Sequence, residues 1–196
     1  MNPFLMLIVA IAVTANLAAC DVSDSTNSSA SMTGVSDGAG EELLDVAAAG
    51  DLSALEELLG RTRQPDVRDS CDWTPLMKAA LSGHTAVVAR LLDAGAKIDA
   101  VDKGGYTAMM LAASNNHADT VELLLKRGAM IDHQEQTEGW TALIWAAKQG
   151  HTKTVATLLQ HRADRTLKDF FTGKTALDWA SEGGYVEIVK LLQSGT

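Results

Sequence analysis

The chain is poor in several things that would point to particular chemistries. Before Arg61 there is no lysine or arginine, and over the whole chain 16 basic residues face 25 acidic ones, a formal charge of −9. With no basic stripe, nucleic acid is excluded as a partner. The negative balance also argues against the folded part lying flat on an anionic membrane. Two cysteines, Cys20 and Cys71, are too few to staple a fold, so stability has to come from apolar interfaces. Apolar runs are short: Phe4 to Ala15 falls below the ~20 residues that span a bilayer. There is no Gly-rich phosphate loop, no Ser or Cys nucleophile motif and no His-Glu-x-x-His pair. No catalytic residue, metal ligand or cofactor is therefore assigned.

What the chain does contain is repetition. Thr74-Pro75-Leu76-Met77-Lys78-Ala79-Ala80 returns as Thr107-Ala108-Met109-Met110-Leu111-Ala112-Ala113. It returns again at Thr141-Ala142-Leu143-Ile144-Trp145-Ala146-Ala147 and at Thr175-Ala176-Leu177-Asp178-Trp179-Ala180-Ser181. The Thr-to-Thr offsets are 33, 34 and 34 residues. A period of this length means stacked supersecondary units rather than a single globular core. An earlier unit, Glu42-Leu43-Leu44-Asp45-Val46-Ala47-Ala48-Ala49-Gly50, aligns at the same offset without its Thr-Pro.

Each period holds two short helices. The first starts at the Thr, with Pro75 at the first helical position, where a missing amide hydrogen costs nothing. It ends near Gly50, Gly83, Asn116, Gly150 and Gly184, residues that tolerate the left-handed conformation of a helix terminus. The second carries Val87/Val88 with Leu91/Leu92, and Val121 with Leu124/Leu125, the spacing of a buried stripe. Lys97 to Tyr106 is polar and turn-rich, as an extended hairpin loop requires. The expectation is an all-α solenoid of about five helix-turn-helix units joined by hairpin loops: about 41–71, 72–104, 105–138, 139–172 and 173–196. In the last unit Asp178 replaces the apolar Met77, Met110 and Ile144, as suits a terminal repeat with a polar outer face.

This pattern resembles the ankyrin repeat, strongly over residues 72–196. The residue after Leu, His in the ankyrin pattern, is Met77, Met110 and Ile144 here, and the hairpins Glu135–Gly139 and Asp169–Gly173 are one residue longer. The resemblance implies a bent stack of helix pairs whose hairpins and first helices line a concave side. It also implies that His84, His117 and His151, with Tyr185 next in the column, tie the turn between the two helices. Column residues lie roughly 8–10 Å apart in such a stack, too far to share one ion. His133 and His161 read as surface residues. Glu41/Glu42 read as the favourable acidic start of a helix.

The first forty residues read as an address. The short apolar run ends in Leu17-Ala18-Ala19-Cys20, which is similar to the lipobox of bacterial lipoproteins. Residues 1–19 are then a signal peptide, although the usual basic start is missing. Cys20 is the lipidated first residue of the mature chain, and residues 20–40 are a disordered, Ser/Asp/Thr/Gly-rich tether. By the same resemblance the protein faces the periplasm from the cell envelope, and Asp21 points to the inner membrane. With Cys20 committed to lipid, no intrachain disulfide forms, and Cys71 is an odd thiol at a hairpin tip.

Aromatics are scarce at 5% of residues, and all four tryptophans fall in two repeat columns. Trp73, Tyr106 and Trp140 precede the repeat Thr, with Lys174 the equivalent in the last unit. Leu111, Trp145 and Trp179 form the second column with Lys78. Because lysine is almost never fully buried unless paired, both columns are expected to be at least partly wet, with Phe170 and Phe171 extending the same edge. Exposed rows of large apolar residues mark interaction sites. The reading is a non-catalytic protein–protein interaction module that scaffolds, protects or regulates another protein. A narrower reading is a periplasmic inhibitor or immunity protein against a toxin. An enzyme or metal-dependent protein is the least supported reading, because no polar residues gather into a site.

Overall fold

A computed structural model describes residues 38–194. The leader, Cys20 and the tether up to residue 37 lie outside the described residues. Ten α-helices follow one another in pairs: α1 (Gly38–Ala49) and α2 (Leu52–Thr62), α3 (Pro75–Leu81) and α4 (Thr85–Asp93), α5 (Ala108–Ser114) and α6 (Ala118–Lys126), α7 (Ala142–Lys148) and α8 (Thr152–Gln160), α9 (Ala176–Glu182) and α10 (Val186–Gln193). The described residues contain no strands, only an isolated bridge between Val101 and Thr107. The first helix begins at Gly38, so residues 38–40, expected in the tether, are helical. Glu41 then sits in its first turn, where a carboxylate favours the helix start.

The repeated Thr sets each first helix. Thr74, Thr107, Thr141 and Thr175 take extended backbone and accept hydrogen bonds from the amides of Met77, Met110, Ile144 and Asp178 at 3.2–3.4 Å. Such caps satisfy donors that the helix leaves open, each worth ~1 kcal/mol. In the last unit Asp178 returns the favour, accepting from the Thr175 amide at 2.8 Å and hydroxyl at 2.7 Å. Asp178 is exposed, whereas Met77, Met110 and Ile144 are fully buried against the next first helix.

Every first helix packs on the next, α1 on α3, α3 on α5, α5 on α7 and α7 on α9; the second helices form a parallel layer from α2 to α10. The core runs between the layers through Leu76, Met109, Leu143, Val87, Leu91, Val121, Leu124, Val155, Leu158 and Ile188. Glu56–Arg90, Asp93–Arg127 and Asp119–Lys153 pairs cross the outer surface from repeat to repeat. Being solvated, they add little to the buried stripe. Among the described residues no helix is long and apolar enough to cross a membrane.

The histidine column does something other than tie the turn of its own repeat. His84, His117 and His151 point their Nε2 atoms at the carbonyl oxygens of Ala48, Leu81 and Ser114, all at 3.0 Å. Those carbonyls belong to the first helix of the preceding repeat. The ring lies flat on that repeat's glycine: a Cβ at Gly50, already at φ +78°, would meet the His84 ring at 2.5 Å. Glycine is thus needed there twice over, for conformation and for space.

Cys71 also departs from expectation. It is buried rather than exposed, and the described residues contain no free cysteine. Its amide donates to the Asp69 carboxylate at 2.9 Å and its carbonyl accepts from Lys103 of the next hairpin at 3.3 Å. The neighbouring hairpin is thereby bonded to what looks in sequence like an open tip.

Leu124→Ala should lower the unfolding free energy by ~2–5 kcal/mol, since the side chain is fully buried and the hole cannot close. Chemical denaturation followed by circular dichroism measures this. A midpoint equal to wild type would mean that the stripe is not the core.

A candidate partner-binding face

The hairpins are built around one carboxylate each. Asp69 Oδ1 accepts from the amides of Cys71 and Trp73, both at 2.9 Å, and Asp102 Oδ1 from those of Gly104 and Tyr106 at 2.9 and 2.8 Å. The two longer hairpins need more reach. Glu135, one methylene longer, accepts from Thr137, Glu138 and Trp140 amides at 2.5, 2.7 and 3.0 Å. Asp169 binds Phe171, Thr172 and Gly173 amides at 3.1, 2.5 and 3.1 Å, and stops one residue short. Burial alone would raise the Asp169 pKa, but the Thr172 hydroxyl and amide, the Trp179 indole and the Gly173 amide together hold it below the ordinary carboxylate value. At Asp102 burial prevails and the pKa rises despite its amides.

Successive hairpins are joined by single backbone bonds. The Lys103 amide donates to Cys71, Gln136 to Gly104 at 3.0 Å, and Phe170 to Glu138 at 2.9 Å. The tips therefore move as one edge, and the aromatics that follow each tip are set in register.

The structure gathers most of the predicted aromatics but does not leave them wet. Trp140 and Trp145 meet edge to face at 4.5 Å between centroids, Trp140 and Trp179 at 5.9 Å, and Tyr106 tilts onto Trp145 at 6.3 Å. One connected cluster thus runs across three repeats. Within it Trp140 is 9% exposed and Trp145 6%; outside it Trp73 is 8% exposed and Leu111 7%. These four are buried, contrary to the expectation from their lysine neighbours. Tyr106 and Trp179 are half-buried. Phe170 and Phe171, at 59% and 74%, are fully at the surface. Phe170 lays its ring against the backbone of Gly139 in the preceding hairpin, while Phe171 is the more exposed of the two.

The lysines explain the discrepancy. Lysine buries its stem on apolar surface and keeps its charge near water, so a lysine in a column does not make its aromatic neighbours wet. Lys78 lies over Trp73 at 4.8 Å and pairs with Asp69 at 3.2 Å. Lys174 lies over Trp179 at 4.4 Å and pairs with Glu182 at 2.7 Å. Lys148, which sequence reading missed, has its ammonium 3.8 Å from the centroid of Trp140 and 4.1 Å from that of Trp179. Its position, three residues after Trp145 on one helix face, was the available signal. Burial lowers the Lys148 pKa; Glu138, Asp169 and Glu182 act against that, and Lys174 with it.

The Trp179 indole donates to Asp169 at 3.1 Å. The indole N–H groups of Trp140 and Trp145 are buried without an acceptor among the described residues. No group of three or more His, Cys, Asp or Glu side chains converges as a metal site among the described residues. His161, read as an isolated surface residue, bonds Glu122 at 2.9 Å, and His133 bonds the Gly105 carbonyl at 2.9 Å.

Stacked helix pairs, capped by Thr, tied by His to the preceding carbonyl and joined at their hairpins, define a repeat solenoid. The family model for ankyrin repeats matches residues 43–135 and 129–196, and the chain belongs to the ankyrin repeat family. Ankyrin repeat proteins are in general non-catalytic protein–protein interaction modules, so the partner class is protein. No curated protein matches the chain.

Because Trp145 is buried and central to the cluster, Trp145→Ala should cost ~3–5 kcal/mol of stability, as large as a core leucine. Denaturant titration checks this. A loss below ~1 kcal/mol would restore the indole to the surface.

Proposed function

We propose that this protein is a lipid-anchored ankyrin protein of the bacterial cell envelope that holds, protects or regulates another protein on the face made by its hairpins and first helices. The observation that carries the reading is the aromatic cluster of Tyr106, Trp145, Trp140 and Trp179 on that face, with Phe170 and Phe171 exposed on the last hairpin. Large apolar side chains kept at the surface beside ordered polar groups are what a partner covers. Phe171, Phe170, Trp179 and Tyr106 are the direct contacts in this reading. Trp73, Trp140, Trp145 and Leu111 lie beneath or beside them and fix their positions.

Phe171→Ala tests the face with little risk to the fold, because its side chain is exposed. Partner recovered by crosslinking and affinity purification from the membrane fraction should weaken by ~2 kcal/mol, the scale of an aromatic hot spot, with an unchanged unfolding midpoint. Undiminished binding to Phe171→Ala and Trp179→Ala alike would remove this face from consideration. Inhibition of a periplasmic toxin is the same use of the surface with a different partner, and the identity of the recovered protein separates it from scaffolding.

The anchor rests on Leu17-Ala18-Ala19-Cys20. Lipid chains contribute ~0.8 kcal/mol per buried CH₂, and two or more anchor durably where one does not. Cys20→Ala should release the protein from membranes or leave the leader uncleaved, read by fractionation and intact mass. Asp21 favours the inner membrane in this reading. A Cys20 thioether and a Cys20–Cys71 disulfide exclude each other chemically. Recovery of that disulfide from cells in place of a lipidated peptide would sink the anchor while leaving the binding face intact.

A further inference from the structure

We propose that the space between Trp140 and Trp179, filled by the Lys148 ammonium, is a cation-recognition site whose occupant in the complex is an arginine guanidinium of the protein partner. The inference rests on the interaction-module reading and names the chemistry that the partner brings.

Three lysines lie over tryptophans on this face, and they are not equivalent. Lys78 and Lys174 each have a carboxylate, Asp69 at 3.2 Å and Glu182 at 2.7 Å. Lys148 has two rings instead, at 3.8 and 4.1 Å, and no carboxylate at ion-pair distance among the described residues. Both ring distances are well inside the ~6 Å over which an aromatic face attracts a cation. Glu138, Asp169 and Glu182 favour positive charge at the position, against burial and the nearby Lys174 ammonium. Two indole faces within an acidic rim select a cation, and the chain supplies its own.

Lysine is a poor choice for that place. Its ammonium is compact and strongly hydrated, and burial is the largest influence on Lys148, disfavouring its charged form. A guanidinium is planar, more weakly hydrated and suited to stacking on aromatic faces. Exchange returns the Lys148 ammonium to water on its flexible stem and leaves the rings with the cation that loses less by leaving water. Lys148 lies on the Trp140 ring at 3.8 Å, so that ring face opens when Lys148 swings out. Phe170 and Phe171 border the same face and offer apolar surface for residues flanking the arginine. The formal charge of −9 draws a basic segment in preference to an acidic one.

The test is a titration of the full domain with N-acetylarginine methylamide, read through the four tryptophan indole N–H signals in proton–nitrogen correlation spectra. N-acetylcitrulline methylamide is the neutral isostere. The arginine compound should move the Trp140 and Trp179 signals and the citrulline compound should not. Trp73 should stay still, because Asp69 holds Lys78 over it. Lys148→Gln removes the competing occupant and should tighten binding of the arginine compound about tenfold. Trp179→Leu should abolish it. Equal movement with citrulline, no movement in either wild type or Lys148→Gln, or weaker binding to Lys148→Gln would each overturn the proposal. If Lys148→Gln misfolds, arginine against citrulline on wild type still decides. Loss of partner from Phe171→Ala without an arginine response sinks this inference alone. An arginine response with partner binding indifferent to the face sinks the binding-face reading and with it the assignment of the occupant to the partner.

Discussion

Each repeat leaves backbone polar groups that side chains of its neighbour meet, and the alignment of the stack follows from this. The carbonyl at the end of one first helix is met by a histidine about 36 residues later. The amide after each Gly-Ala or Arg-Ala step is met by an aspartate of the preceding repeat: Lys97 by Asp66, Met130 by Asp99, Asp164 by Asp132, at 2.8–2.9 Å. The histidine bonds are half-buried, where a polar group left unpaired costs ~1–3 kcal/mol; the aspartate bonds are exposed, where water competes with them. Adding a repeat therefore aligns the one before it through hydrogen bonds as well as through buried apolar surface. That coupling holds the hairpins in line and lets side chains from three repeats form one cluster.

Much of this was legible in the chain. The Thr caps, the valine and leucine stripe and the exposed Asp178 are local: each depends on residues three or four positions away and on helical periodicity. The column arithmetic also located the tryptophans correctly. Their burial was another matter. Whether Trp140 is wet depends on Trp145 in its own helix pair, on Trp179 one repeat on and on the rotamer of Lys148. No column rule carries that information. The inference from Lys78 and Lys174 failed because a long cationic side chain covers a neighbour while remaining solvated itself. The burial of Cys71 was likewise not legible, since a hairpin position says nothing of what packs against it. The histidines were read as structural, but their bonds run between repeats rather than within one.

The electrostatics of the face and its apolarity work together. Four carboxylates are drawn inward to hold the turns, Asp69, Asp102, Glu135 and Asp169, and two of them, Glu135 and Asp169, are buried. Acids placed for folding thereby bias the local potential toward cations. The lysines over the tryptophans respond to the same field. A change to a turn acid therefore alters the turn and the charge around these lysines together.

The lengthened hairpins carry a different consequence. In Glu135–Gly139 a longer acid follows the added residue, and its carboxylate still reaches the amide of Trp140. In Asp169–Gly173 the shorter acid gives up the last amide and takes the Thr172 hydroxyl and the Trp179 indole instead. Both solutions leave the following Thr cap and first helix in register. Tip length is accordingly a free variable: descendants of this chain can gain or lose residues there, and try new contacts with other molecules, without renegotiating the stack beneath.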